Sequence, residues 1–166
     1  MDQRPVAERE ASRSSGPDRR PSPGQAAGRR PVPDDCDIRL TLPARAENVA
    51  LVRHVVGALA EALSMPQPLI EDVKLAVTEA CTNVVRHAYQ GSEGPLEVVV
   101  EPKADCLTVV VTDHGTGIRP NPASDGAGLG LPLIAALSSQ LEIADGPDTG
   151  SRVRMSFSAA ARVAGA

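Results

Sequence analysis

The sequence predicts an α+β fold, a two-layer sandwich whose mainly antiparallel sheet is covered on one face by helices. Three observations carry that prediction. LEVVVE and LTVVVTD are short β-branched runs joined through the turn PKAD, which reads as a hairpin. Two helical patterns stand next to each other before that hairpin, and LEIAD and SRVRMSFS form a second strand pair after a shorter helix. Hairpins and paired helices are therefore segregated along the chain, as in an α+β layer.

Taken in order, residues 1–35 are rich in Pro, Arg, Ser and Gly and lack apolar periodicity. Such a segment cannot bury enough surface to offset the entropy of ordering, so a disordered tail is expected. It serves as a spacer, with a basic docking arm as the alternative. The folded part starts near Asp37, where DIRLTL alternates Ile38, Leu40 and Leu42 with polar neighbours and reads as a strand. Val49, Val52, Val56, Leu59 and Leu63 then recur at helical spacing, with Arg53, Gly57 and Glu61 turned away.

SMPQP breaks the chain, and Pro68 suits a first helical position. Glu71 and Asp72 follow in the expected first turn, where the helix dipole favours acidic groups. This second helix runs to about Tyr89 and is ended by Gly91 and Gly94. After the hairpin comes a loop from His114 to about Gly128. LGLPLIAALSSQ is a third helix with Pro132 in its first turn, where proline is tolerated. In the last strand, Val153, Met155 and Phe157 share one face.

Composition narrows the function. Aromatic residues are 1% of the chain, Tyr89 and Phe157 alone, which weighs against base-stacking platforms for single-stranded nucleic acid. A net charge of −4 supplies no basic footprint for a duplex. Cys36, Cys81 and Cys106 form no CxxC pair and no zinc spacing with His54, His87 or His114. Free thiols in a reducing cytoplasm are expected. The polar opening MDQRPVAERE has no apolar core of a secretory signal, and no run reaches the roughly 18 apolar residues of a membrane helix.

The second helix carries an anomaly. Val73, Val77, Ala80, Val84 and Ala88 make its apolar stripe, yet Glu79 and Asn83 sit four apart on another face, with Leu75 and Arg86 or His87. Asn is a poor mid-helix residue because its side chain competes for backbone hydrogen bonds. Downstream, the strand LTVVVTD ends in Asp113-His114-Gly115-Thr116-Gly117. That places a carboxylate at the sheet edge, able to accept a hydrogen bond from an exocyclic amine such as adenine N6. Gly115 and Gly117 let the chain approach a flat ring. Gly126-Ala127-Gly128-Leu129-Gly130-Leu131 directly precedes the third helix, where free N–H groups and the positive dipole end suit phosphate oxygens. A Rossmann fingerprint fails on context, since NPASD rather than a hydrophobic strand precedes these glycines, and no Gly-Lys-Ser or Gly-Lys-Thr supports a Walker A loop.

Together these segments resemble the GHKL ATPase superfamily, whose ATP-binding, Bergerat or histidine-kinase-like fold is shared by gyrase, heat-shock chaperones and histidine kinases. Glu79 to Asn83 resembles the N box, Asp113 to Gly117 the G1 box and Gly126 to Gly130 the G2 box. Gly150-Ser151-Arg152-Val153 resembles the terminal Gly-Thr-x-Val element, with Ser keeping the hydroxyl. The resemblance covers about residues 37–158, and the domain it implies spans 36–160. The compact size and the wording EACTNVVRHAY are most similar to anti-sigma-factor serine/threonine kinases of bacterial partner-switching systems.

The resemblance implies ATP and Mg²⁺ as cofactors. Asn83 is then the metal ligand and Glu79 the catalytic base or orienting group for the attacking hydroxyl. Asp113 reads adenine, with Gly115 and Gly117 clearing space. Gly126, Gly128, Leu129 and Gly130 line the phosphates, and Ser151 joins the nucleotide site. Arg53 matches an arginine used against protein partners, here a sigma factor and an anti-anti-sigma factor. Direct nucleic-acid binding and membrane association are not implied, the location is cytoplasmic, and a homodimer is compatible with the family. The segment between the two glycine motifs is short, so any lid is small, and Asp125 stands where related kinases place a cation. The alternative reading is an ATP-binding regulatory module with little chemistry. A further one is a stand-alone catalytic module that partners a phosphotransfer protein. His87 and His114 are expected to pack or hydrogen-bond, and Cys81 to face the helices.

Overall fold

The computed structural model describes residues 37–103, 105–116 and 129–158; the expected tail and Gly117, Gly126 and Gly128 lie outside the described residues. The elements follow the expected order. Strand β1 is Ile38–Pro43, helix α1 is Ala46–Ala62, and helix α2 is Gln67–Asn83, continued by a π-helical turn over Val84–Ala88. Strands β2, Pro95–Pro102, and β3, Cys106–Asp113, form the hairpin; helix α3 is Gly130–Leu137; strands β4, Gln140–Asp145, and β5, Ser151–Ser158, close the fold.

All four strand pairings are antiparallel, in the order β1-β2-β3-β5-β4. β3 is central, and every residue from Leu107 to Asp113 is buried. Its inner side, Leu107, Val109 and Val111, joins Leu96, Val98 and Val100 of β2 and Val153, Met155 and Phe157 of β5. Val52, Val56, Ala60, Val73, Val77 and Ala80 of the helices complete this core. Each large apolar side chain fully buried there contributes about 1.5–3 kcal/mol. On the outer side, Arg154 of β5 reaches Glu101 of β2 with two hydrogen bonds of 3.1 and 2.6 Å. This bidentate pair spans β3 beside Thr108 and Val110, their cross-strand partners in register.

Three local expectations are corrected. Gly57 is buried rather than turned away: a Cβ there would stand 2.5 Å from Cε of Lys74, so the missing side chain lets the Lys74 stem cross α1. α2 begins at Gln67, which moves Pro68 to the second position and Glu71 and Asp72 beyond the first turn. α3 ends at Leu137 because Ser138 is extended and the backbone turns directly into β4.

Cys81 is fully enclosed in the core, and burial pushes its thiol up from 9.0 to about 12. The fold therefore holds the proton that the unfolded chain releases, so this contribution to stability is intact below pH 9 and is lost as pH rises toward 12. A thiol reagent at pH 8 should leave Cys81 unlabelled in the folded protein and label it in urea; mass mapping of the modified peptide checks this, and equal labelling in both states contradicts it.

Candidate functional site

α2 presents its apolar stripe to the sheet because Val73, Val77, Ala80 and Val84 recur every three or four residues. The same periodicity rotates Glu79 and Asn83 onto a partly buried flank. α3 meets them there. A Cβ on Gly130 would lie 3.2 Å from Asn83 Nδ2, 3.4 Å from Asn83 Oδ1 and 3.5 Å from Glu79 Oε2. The first residue of α3 thus abuts the carboxylate and the carboxamide together, and glycine leaves its backbone open. Leu129 caps this helix with an exposed side chain. Among the described residues, neither the Glu79 carboxylate nor the Asn83 amide has a hydrogen-bond partner. Both side chains are only partly buried, so their polar ends are open to solvent or to a ligand.

The Asp113 corner is built differently. The Asp113 carboxylate is buried, at 3% exposure, and both oxygens accept hydrogen bonds. Gly115 N–H donates to Oδ1 at 2.8 Å, and the buried Ser151 hydroxyl donates to Oδ2. Ser151 thus orients the carboxylate that its sequence position made a companion of. Gly150 makes the approach possible: a Cβ there would fall 1.9 Å from the Asp113 carbonyl oxygen. Thr149 Oγ1 donates to the Gly115 carbonyl at 2.6 Å, tying the β4–β5 turn to the same corner.

Two contacts join this corner to the end of α2. Thr116 N–H donates to the Ala88 carbonyl at 2.9 Å, and Gly115 passes so close that a Cβ would sit 2.1 Å from that oxygen. The Tyr89 hydroxyl accepts the His114 N–H at 3.0 Å and donates to the Pro95 carbonyl. Burial pushes the Tyr89 phenol up; the His114 N–H opposes this, and the Asp113 and Glu97 charges add to it. The phenol is therefore a protonated donor at neutral pH. His114 does hydrogen-bond, as expected: Nε2 lies 3.1 Å from Glu97 Oε1 and Nδ1 3.6 Å from Asp148 Oδ2.

Glu79, Asn83 and Gly130 thus form one group, and Asp113, Gly115 and Ser151 form another, tied to the first through the last turn of α2. Arg53 belongs to neither. It lines a separate groove of about 510 Å³ between the outer faces of α1 and α2, with His54, Glu71, Lys74, Leu75 and Thr78. Sequence reasoning missed Tyr89, Thr149, Gly150 and the Ala88 carbonyl. Only Tyr89 left a signal, as the single tyrosine of a chain almost without rings.

The residues present fit a magnesium nucleotide. Asn83 Oδ1 is an oxygen donor of the kind Mg²⁺ takes, and Glu79 Oε2 meets the same side-chain-free Gly130. The start of α3 adds first-turn backbone N–H groups, which an α-helix leaves without intrahelical partners, at its positive dipole end.

A family model described as the histidine kinase-like ATPase domain matches residues 42–157. Serine-protein kinase RsbW of Bacillus cereus strain Q1 is 32% identical over 121 residues, covering 64% of this chain and 76% of that protein. The protein of the same name from Bacillus mycoides strain KBAB4 is 31% identical over 121 residues with the same coverages. Among solved structures, the RsbU and RsbW domains of a Mycobacterium tuberculosis protein match with a TM-score of 0.58 at 22% identity, over 74% of this chain and 32% of that one. That likeness is one of fold.

Gly115→Ala should destabilise the protein by about 2 kcal/mol, the usual cost of overpacking a close contact. Urea unfolding checks this; an unchanged midpoint contradicts the Gly115–Ala88 approach.

Proposed function

The chain belongs to the histidine kinase-like ATPase family, and from that premise we propose an ATP-dependent protein serine/threonine kinase that acts as an anti-sigma factor. It binds a sigma factor and phosphorylates a serine of an anti-anti-sigma partner. The observation that carries this reading is the meeting of Glu79, Asn83 and the Gly130 backbone at the start of α3. The named serine-protein kinases at 31–32% identity support the choice of reaction.

Asn83 would hold Mg²⁺ through its amide oxygen, and the ion would supply charge neutralisation for the phosphates. Glu79 lies one turn before the metal ligand, where it orients the partner's serine hydroxyl and takes its proton. The serine oxygen forms a bond to the terminal phosphorus, the bond to the bridging oxygen breaks, and ADP leaves with that electron pair. Asp113, already held by Gly115 and Ser151, accepts a hydrogen bond from the adenine amine. The α3 N-terminus, through Leu129 and Gly130, cradles phosphate, together with Gly126 and Gly128; Gly117 clears space beside the base.

Arg53 is the partner-binding residue in this reading. It is exposed and has no ion-pair partner among the described residues, whereas Lys74 in the same groove lies 3.6 Å from Glu61 and 3.2 Å from Glu71. The groove's uncompensated charge is thus Arg53, beside the exposed Leu75. The protein works in the cytoplasm, where its partners and ATP reside. Among the described residues no helix is long and apolar enough to cross a membrane.

Isothermal titration should find Mg-ATP binding abolished in Asn83→Ala and weakened in Asp113→Asn, each with an unchanged circular dichroism spectrum. Unchanged affinity in either variant removes the role assigned to that residue. With labelled ATP and an anti-anti-sigma domain, wild-type protein should transfer phosphate to serine, and Glu79→Gln should lose at least a hundredfold of that rate, the scale of a lost general base (about 10²–10⁴). Equal rates would sink the kinase assignment while leaving ATP binding intact.

A further inference from the structure

Tyr89 stands where the π-helical turn ends, and its side chain crosses from α2 to the adenine-reading corner. Its ring lies flat over Gly94: a Cβ there would be 2.0 Å from Cε1 and 2.2 Å from Cζ. The hydroxyl is committed at both ends. A carbonyl can only accept, so the hydroxyl proton goes to Pro95 O at 2.5 Å. An amide N–H can only donate, so a hydroxyl lone pair takes His114 N–H at 3.0 Å.

The His114 N–H and the Asp113 carbonyl belong to one rigid peptide plane. Tyr89 grips that plane from the N–H side. Gly150 packs against its carbonyl side, with no space for a methyl group. The imidazole of His114 is held beyond it between Glu97 and Asp148. The plane therefore has one orientation available, and the Cα of Asp113 is fixed with it.

We infer that Tyr89 is a positioning residue for nucleotide selection: its hydroxyl locks the Asp113–His114 peptide plane and so aims the Asp113 carboxylate at the base. The inference rests on the nucleotide reading above and adds to it the group that sets the base-reading geometry. Phenylalanine keeps the ring over Gly94 and removes only the two hydrogen bonds. The His114 N–H is then left unpaired in a packed turn, and the plane is free to rotate. The triphosphate contacts, which come from Asn83 and the start of α3, are untouched.

The test uses the full chain with Tyr89→Phe. Isothermal titration with Mg-ATP and Mg-GTP reads affinity and base discrimination, and amide hydrogen exchange at His114 reads the bond itself. The expected result is exchange at His114 faster by tenfold or more, Mg-ATP affinity about tenfold weaker, the scale of an unsatisfied buried donor, and an ATP-over-GTP preference reduced by a similar factor. Thermal unfolding monitored alongside separates this from a general loss of structure, which would weaken both nucleotides equally. Unchanged ATP affinity despite faster exchange at His114 overturns the inference, as does an equal loss for both nucleotides. Wild-type protein that binds neither nucleotide defeats the nucleotide reading itself, and this inference falls with it; wild-type binding with an indifferent Tyr89→Phe variant defeats this inference alone.

Discussion

The site depends on one close approach of main chain to main chain. Where β3 ends, Gly115 slides beneath the Ala88 carbonyl and Thr116 N–H bonds to it. That contact joins the last strand residue carrying a carboxylate to the last turn of the helix carrying Glu79 and Asn83. It leaves no room for a side chain, so the separation between the two halves is set by backbone dimensions rather than by flexible groups. The π-helical turn at Val84–Ala88 is part of the same construction. A widened turn alters where the terminal carbonyl falls, and such turns recur at functional sites.

The sheet makes that contact rigid. β3 is covered on both sides, by the helices within and by the Arg154–Glu101 pair without. A strand so enclosed cannot shift register without exposing its apolar side chains or burying polar ones. Asp113 is its final residue and inherits that immobility. The two donors to its carboxylate, Gly115 N–H just past β3 and Ser151 Oγ at the start of β5, meet at the same end of the β3–β5 pairing, so the strand pair that builds the core also orients the acid.

Much of this was legible in the residues. The strands showed through strict alternation, as with Val153, Met155 and Phe157, because one face of an antiparallel sheet must meet the core. Glu79 and Asn83 showed because they violate the apolar helix around them, and Asp113 because glycines follow it. The rest lies in tertiary register. No residue type marks a π-helical turn, so α2 read as a plain helix to Tyr89. Gly57 looked solvent-facing because helical periodicity on α1 does not reveal where α2 crosses it. Tyr89 read only as the end of α2, because its hydroxyl finds partners only once β2 and the turn after β3 are side by side. The glycines at 117, 126 and 128 fall outside the described residues, so the sequence alone speaks for them.

Helix α2 carries three tasks on three faces, and this explains its composition. One face is the core stripe ending in Val84 and Ala88. A second holds Glu79 and Asn83 against α3. A third, with Glu71, Lys74, Leu75 and Thr78, forms the groove shared with Arg53 of α1. At 3.6 residues per turn, a helix of 17 residues presents each face about every turn, so none of these groups can move without the others. The core stripe anchors the whole, since Val73 and Val77 are fully buried. Polar residues on the second face add nothing to that anchoring, and Asn is a weaker helix former than Ala by up to about 0.7 kcal/mol. On the proposed nucleotide reading, their presence beside an apolar stripe is explained outside the fold, at the flank beside Gly130.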